Sequence, residues 1–80
     1  MRKATLITGS GSGLGKEFAL LYASKGNNVV LVDINENGIN SLKKEINNRF
    51  KTVEVYTVVA DLSKTEEYKK VLDFTNKEDL

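Results

Sequence analysis

Hydrophobic residues in this chain follow two alternating patterns, one of short continuous runs and one of apolar positions spaced as on a helix face. The continuous runs predict buried strands, and the spaced positions predict amphipathic helices. The predicted strands are residues 3–8, 29–32 and 52–60, and the predicted helices are about 14–25, 36–49 and, after a capping-box pattern at Ser63 and Glu66, a segment to about 74. Strand and helix alternating at this spacing indicate right-handed crossovers that build a parallel sheet. We therefore predict an α/β fold.

Each predicted helix carries apolar residues that recur at helical spacing. These residues are Leu14, Phe18, Leu21 and Tyr22 in the first helix, Ile39, Leu42 and Ile46 in the second, and Tyr68, Val71 and Leu72 in the third. In the first helix, Ala19 and Ala23 also allow close packing. Because no proline-rich or low-complexity linker divides the chain, residues 1–80 are expected to form one unit without a second domain.

Composition narrows the class of protein. The chain has 80 residues, is 40% hydrophobic and carries a formal net charge of +1, with lysines interleaved among acidic residues. This balance argues against a nucleic-acid-binding protein, which would show a clustered basic excess. No apolar run approaches the roughly 20 residues of a membrane span, and the few apolar residues after the basic start do not fit a signal peptide. We expect a cytoplasmic location, which the absence of cysteine permits without proving it.

A glycine-rich turn lies between the first predicted strand and the first predicted helix. It contains Gly9, Ser10, Gly11, Ser12, Gly13, Leu14 and Gly15. Glycines allow the backbone to turn tightly and to approach an anion, while the free N–H groups at the start of the helix face that anion. An acidic residue, Asp33, follows the next strand, as in dinucleotide-binding sites. The turn therefore predicts a phosphate-binding site, and the alternative is an ordinary glycine-rich loop.

The spacing of these residues resembles one protein family. Thr8, Gly9, Gly13 and Gly15 match the T-G-x-x-x-G-x-G pattern of the short-chain dehydrogenase/reductases. The resemblance covers nearly all 80 residues, and residues 60–63 look like the branch of carbonyl and ketoacyl reductases. It implies a truncated Rossmann-like three-layer βαβαβα half, the N-terminal part of a dinucleotide-binding domain. With the family's strand order 3-2-1-4-5-6, the first strand would become an edge.

Asp33 is expected to read the ribose of an adenine dinucleotide. Its carboxylate can accept hydrogen bonds from both ribose hydroxyls and would repel a 2′-phosphate, which favours NAD over NADP. The positions that NADP-preferring relatives make basic are Ser12 and Ile34 here, and neither is basic. The alternative for Asp33 is a residue that ends a strand and forms a turn.

The adenine is expected to lie near the end of the third strand. The resemblance implies that Asp61 accepts from the adenine amino group and that the Leu62 N–H meets a ring nitrogen, while Ile34 packs on one adenine face. Asp61 can instead bond N–H groups near the next helix, and Ile34 can instead fill the core. Lys16 either neutralises a bound pyrophosphate or is an ordinary surface lysine.

The sequence predicts no catalytic residues in this 80-residue chain. The family's tyrosine is followed four positions later by lysine, and none of Tyr22, Tyr56 and Tyr68 fits that pattern. There is no histidine, and no metal-ligand cluster appears. We therefore predict an inactive dinucleotide-binding part of an oxidoreductase. The alternative is a nucleotide-binding or self-assembling module, and we expect a homo-oligomer through the first-strand edge or an uncovered sheet face.

Overall fold

The computed structural model describes residues 4–78, and the order of its elements is the predicted one. The strands are β1 (Ala4–Thr8), β2 (Asn28–Asp33) and β3 (Val55–Val59), and the helices are α1 (Gly13–Ser24), α2 (Glu36–Arg49) and α3 (Thr65–Lys77). β3 is shorter than predicted because the Val53 N–H bonds to the Phe50 carbonyl within the preceding turn. No helix between residues 4 and 78 is long and apolar enough to cross a membrane.

The three strands form one parallel sheet in the order β1-β2-β3, so β1 is an edge strand. Leu31 of the central strand lies opposite Ile7 on one side and Thr57 on the other. Parallel pairing brings the carboxyl ends of all three strands to the same end of the sheet. The glycine turn, Asp33 and Asp61 therefore share that end.

Helices cover both faces of the sheet, which confirms the three-layer α/β prediction. On one face, α1 and α2 pack over Ile7, Val29 and Leu31, with Ile39, Leu42 and Ile46 of α2 at most 1% exposed. On the other face, a smaller cluster joins Val30, Val32, Val58 and Ala60 to Val71 of α3. The four central residues of β2 are buried because each face carries a helix layer. The core is therefore larger beneath α1 and α2.

The apolar stripe predicted for α1 is not buried, contrary to the pattern-based expectation. Leu14, Phe18, Leu21 and Tyr22 are between 39% and 71% exposed, whereas Ala19 and Ala23 are at most 1% exposed. The small alanines let the helix approach the sheet closely, so the alanine side of α1 forms the contact. The larger residues are left on the outer surface of α1, and Phe18 and Tyr22 lie beside β1.

α3 packs on the sheet through fewer residues than its pattern predicts. Val71 is 5% exposed, but Tyr68 and Leu72 are 53% and 46% exposed. Phe74, which the predicted stripe omitted, meets Tyr56 of β3 edge-to-face with 6.1 Å between ring centroids. A single helix on this face leaves Tyr68 and Leu72 at the border of an open groove beside β1.

The capping box predicted at Ser63 does not form. The residue before α3 is Lys64, which makes no capping hydrogen bond through its side chain. The Ser63 hydroxyl donates instead to the Asp61 carboxylate at 2.6 Å, and the Ser63 N–H donates to the same oxygen at 3.0 Å. The Asp61 carboxylate thus closes a local turn with Ser63, and α3 begins only two residues later, at Thr65, so Ser63 does not occupy the N-cap position.

The Asp61–Ser63 contact predicts a change in acidity on substitution. The Ser63 hydroxyl and then the Ser63 N–H lower the pKa of Asp61 below its ordinary value of 3.8, and this lowering exceeds the opposing effect of burial. The charge of Lys64 lowers the pKa by the smallest amount. Ser63→Ala removes the hydroxyl, so the pKa should rise part of the way back. Because the folded pKa is the lower one, the contribution to stability is complete above pH 3.8 and is lost as the pH falls through the folded value.

A carbon-detected NMR titration of the Asp61 carboxyl measures this shift. Thr65→Ala removes an exposed hydroxyl from the first turn of α3 and should leave the pKa unchanged. An Asp61 pKa that is the same in Ser63→Ala and in the unsubstituted chain would contradict the assignment.

Candidate functional site

The glycine turn has a backbone that side chains would disturb. Gly9 and Gly13 have φ values of 65° and 59°, in the left-handed region that residues with a Cβ rarely adopt. A Cβ on Gly15 would overlap the Gly9 carbonyl, so α1 begins in direct contact with the turn. The three positions therefore need glycine for two reasons, namely backbone conformation at Gly9 and Gly13 and close packing at Gly15.

The start of α1 is not capped by its own side chain. Ser12 precedes the helix in an extended conformation, and its hydroxyl makes no capping hydrogen bond. The start of α2 differs, because the Asn35 side chain accepts from the Gly38 N–H at 3.0 Å. The free N–H groups at the start of α1 thus have no side-chain acceptor, and they lie at the positive end of the helix dipole. This arrangement fits an anion such as a pyrophosphate.

Ser10 and Asp33 attach the turn to β2. Ser10 is fully buried, and both its N–H and its hydroxyl face the Val32 carbonyl, at 3.4 and 3.5 Å. The Asp33 carboxylate accepts from the Gly11 N–H at 2.8 Å and from the Asn35 N–H at 3.1 Å. The Ser10 side chain therefore points towards the strand, and Asp33 has a structural role in the turn, in addition to the ribose contact expected from the sequence.

A cleft of about 250 Å³ lies between the turn and the ends of β2 and β3. It is lined by Thr8, Gly9, Val32, Asp33, Ile34, Ala60, Asp61 and Leu62. The structure thus brings together five of the predicted cofactor-binding residues. Gly11, Ser12, Gly13, Leu14 and Gly15 lie beside the cleft in the turn and the start of α1.

Two apolar side chains flank the polar groups of the cleft. Ile34 is 65% exposed, so it is not filling the core and is free to contact a flat ligand. Leu62 is half-buried against the smaller core cluster. The Ala60 N–H donates to the Asp33 carbonyl at 3.1 Å, which fixes the ends of β2 and β3 relative to each other. An aromatic ring could lie between these apolar groups with Asp33 at one side.

Lys16 contacts α2 rather than the turn. Its ammonium lies 3.9 Å from the Glu45 carboxylate, which also accepts from Arg49 at 3.1 Å. These side chains are 37% to 56% exposed, and such pairs add little to stability. The surface interpretation of Lys16 describes this geometry better than neutralisation of a pyrophosphate.

Sequence reasoning missed the contact between the glycine turn and α2. Gly38, in the first turn of α2, lies so close to Gly11 that a Cβ on Gly38 would be 2.5 Å from the Gly11 carbonyl oxygen. The only signal in the sequence is a glycine inside a predicted helix, where glycine is a weak helix former.

Known proteins are similar in sequence to most of this chain. Residues 3–78 match the short chain dehydrogenase family. Levodione reductase of Leifsonia aquatica is 39% identical over 61 residues, which make up 76% of this chain and 23% of that protein. A very-long-chain 3-oxoacyl-CoA reductase of Aspergillus oryzae is 36% identical over 62 residues, 78% of this chain and 18% of that protein. The chain therefore spans about a fifth of the length of these relatives.

Solved structures share the fold as well. The crystal structure of levodione reductase has a TM-score of 0.88 and 33% identity, over 95% of this chain and 30% of that one. L-Sorbose reductase from Gluconobacter frateurii, complexed with NADPH and L-sorbose, has a TM-score of 0.88 and 28% identity, over 95% and 28%. With the match over residues 3–78, these likenesses establish that the chain belongs to the short-chain dehydrogenase/reductase family.

Proposed function

We propose that this chain is the part of an NAD(P)-dependent oxidoreductase that binds the adenosine and pyrophosphate of the cofactor. The observation that carries this proposal is the juxtaposition of an uncapped, glycine-lined helix start with the Asp33 carboxylate at one end of the sheet. The helix start would bind an anion, and the Asp33 carboxylate would accept hydrogen bonds from a ribose.

Different residues of the cleft would contact different parts of the dinucleotide. Amides at the start of α1 would hold the pyrophosphate, and Asp33 would accept from the ribose hydroxyls. Ile34 and Leu62 would contact the adenine faces, and the second oxygen of Asp61 would accept from its amino group, since Ser63 bonds the first. The bound cofactor supplies hydride chemistry at its nicotinamide, which lies outside the contacts assigned to these residues.

Two observations bear on the choice of cofactor, and they differ in direction. The structures of L-sorbose reductase and of the Sphingobium yanoikuyae short-chain dehydrogenase are complexes with NADPH, at 28% and 29% identity to this chain, and similarity to them favours NADPH. Asp33 favours NAD, because its carboxylate lines the cleft and would repel a 2′-phosphate. We keep NAD as the prediction because it rests on a residue of this chain.

The whole protein is proposed to reduce a carbonyl compound. The relatives described above are named as reductases of levodione, L-sorbose and 3-oxoacyl-CoA. Hydride transfer to a carbonyl needs a positioned proton donor. These 80 residues contain no tyrosine with lysine four positions later, so we infer that the isolated chain binds the cofactor without turning it over.

A second candidate function is self-association through the β1 edge. At the outer edge of β3, the Lys70 ammonium donates a hydrogen bond to the Val59 carbonyl at 2.7 Å. The region beside β1 instead has exposed apolar side chains, Leu6 at 44%, Phe18 at 46% and Leu72 at 46%. Lysines discourage strand pairing and apolar edges favour it. We propose that a second copy of this nearly neutral chain covers the β1 edge.

The cofactor assignment predicts a specific pattern of affinities. NAD and ADP-ribose should bind more tightly than NADP in calorimetric titrations. Asp33→Asn removes the negative charge, so NAD should bind about tenfold more weakly and NADP more tightly, since a hydrogen bond to a charged group is worth about 1.5–3 kcal/mol. Asp73→Asn, which removes the same charge from an exposed position of α3, should change neither affinity.

Two results would overturn parts of this assignment. Tighter binding of NADP than of NAD by the unsubstituted chain would show that the preference assigned to Asp33 is wrong. No binding of any of the three ligands at millimolar concentration would rule out the proposed function itself.

The absence of a tyrosine–lysine pair predicts that the isolated chain transfers no hydride. The absorbance of reduced NADH or NADPH should stay constant when the chain is mixed with a panel of ketones, as it does with buffer alone. Ketone-dependent oxidation of either cofactor by the isolated chain would contradict this prediction.

The β1 edge predicts a dimer in solution. Sedimentation at micromolar concentrations should show a species of twice the chain's mass. Leu6→Lys places a charge on the edge strand and should give a monomer, whereas Asn40→Lys, at an exposed position of α2, should leave the dimer intact. A well-folded monomer of the unsubstituted chain would contradict self-association.

A further inference from the structure

The peptide groups of Gly11 are held from outside the glycine turn by the connection between β2 and α2. The Gly11 N–H donates to Asp33 at 2.8 Å. Its carbonyl oxygen faces the first turn of α2, where a Cβ on Gly38 would come within 2.5 Å of it. One short segment, residues 33–38, therefore contacts the turn on its donor side and on its acceptor side.

Gly38 is itself fixed in place. Its N–H donates to the Asn35 side chain at 3.0 Å, and the Asn35 N–H donates to the second oxygen of Asp33 at 3.1 Å. The chain of bonds runs from the helix cap through Asn35 to the carboxylate that holds Gly11. A displacement of α2 is consequently transmitted to the turn through two routes, one steric and one through hydrogen bonds.

The backbone conformation at position 38 does not require glycine. The glycines with positive φ are Gly9, Gly13 and Gly26 among residues 4–78, and Gly38 is not one of them. Alanine is the better helix former, so helix propensity alone would favour alanine at this position. What excludes a side chain is contact, because a Cβ on Gly38 would also lie 2.7 Å from the Asn35 amide nitrogen.

We propose that Gly38 is a positioning residue of the dinucleotide site. Without a side chain, α2 packs against the Gly11 carbonyl and keeps the turn close to Asp33. The amides at the start of α1 and the Asp33 carboxylate then face the same cleft. This inference rests on the proposed function, and it adds a residue that does not touch the cofactor and acts through Gly11.

The test compares Gly38→Ala with Asn40→Ala, an exposed position of the same helix. Displacement of the turn should weaken ADP-ribose binding about tenfold or more, because small misplacements of binding groups have large effects. In an NMR spectrum without ligand, the Gly11 amide resonance should shift as its bond to Asp33 changes. Asn40→Ala should alter neither quantity.

The readouts separate positioning of the turn from an effect on α2 alone. If only helix propensity acted at position 38, Gly38→Ala would raise the thermal midpoint of unfolding, and the Gly11 amide resonance would stay in place. That result, together with unchanged ADP-ribose affinity, would overturn the inference. If the unsubstituted chain binds no ADP-ribose, the proposed function fails, and the Gly11 resonance still decides whether Gly38 positions the turn.

A second variant covers the case in which Gly38→Ala does not fold. Asn35→Ala keeps glycine at position 38 but removes the side chain that accepts the Gly38 N–H. It should weaken ADP-ribose binding by a smaller factor and shift the Gly11 amide. An unaltered Gly11 resonance and affinity in Asn35→Ala would overturn the inference.

Discussion

The hydrogen bond between the Gly11 N–H and the Asp33 carboxylate connects the two parts of the site, and the geometry of the site depends on it. The turn belongs to the first strand–helix unit, and Asp33 belongs to the second. Their sequence separation is 22 residues, which only the parallel pairing of β1 with β2 brings together. Because the same carboxylate also accepts from the Asn35 N–H, one side chain fixes the turn, the end of β2 and the start of α2.

The two hydrogen bonds that Asp33 accepts bear on the proposal that it would bind a ribose. An ionised carboxylate has about four lone-pair sites, and two are used by backbone N–H groups. The remaining sites are enough for two ribose hydroxyls. The backbone bonds also fix the direction of the carboxylate, so less conformational entropy is lost when a ligand binds. The structural and the binding interpretations of Asp33 therefore do not compete.

Much of the fold was predictable from the sequence, because the hydrophobic patterns of β2 and α2 match the burial of these elements in the structure. The continuous apolar run of β2 is buried on both faces, and the stripe of Ile39, Leu42 and Ile46 lies in the core. α1 was misjudged because periodicity shows that residues share a side of a helix, but not which side meets the sheet. Two alanines decided that question by allowing closer approach. The capping box at Ser63 was wrong because Ser63 forms a turn with Asp61 and the helix begins after Lys64.

The contact of Gly38 with Gly11 could not be predicted, because it joins two glycines 27 positions apart, and neither has a side chain that would give an apolar or charged signal. The sequence did predict that the candidate residues would lie at the ends of the strands, since that position follows from parallel topology alone. It could not specify how the turn is held there, since this depends on the distance between α2 and the turn. In a site whose proposed donors are mostly backbone amides, that distance would set the geometry of binding, so a residue without a side chain can matter as much as one that carries charge.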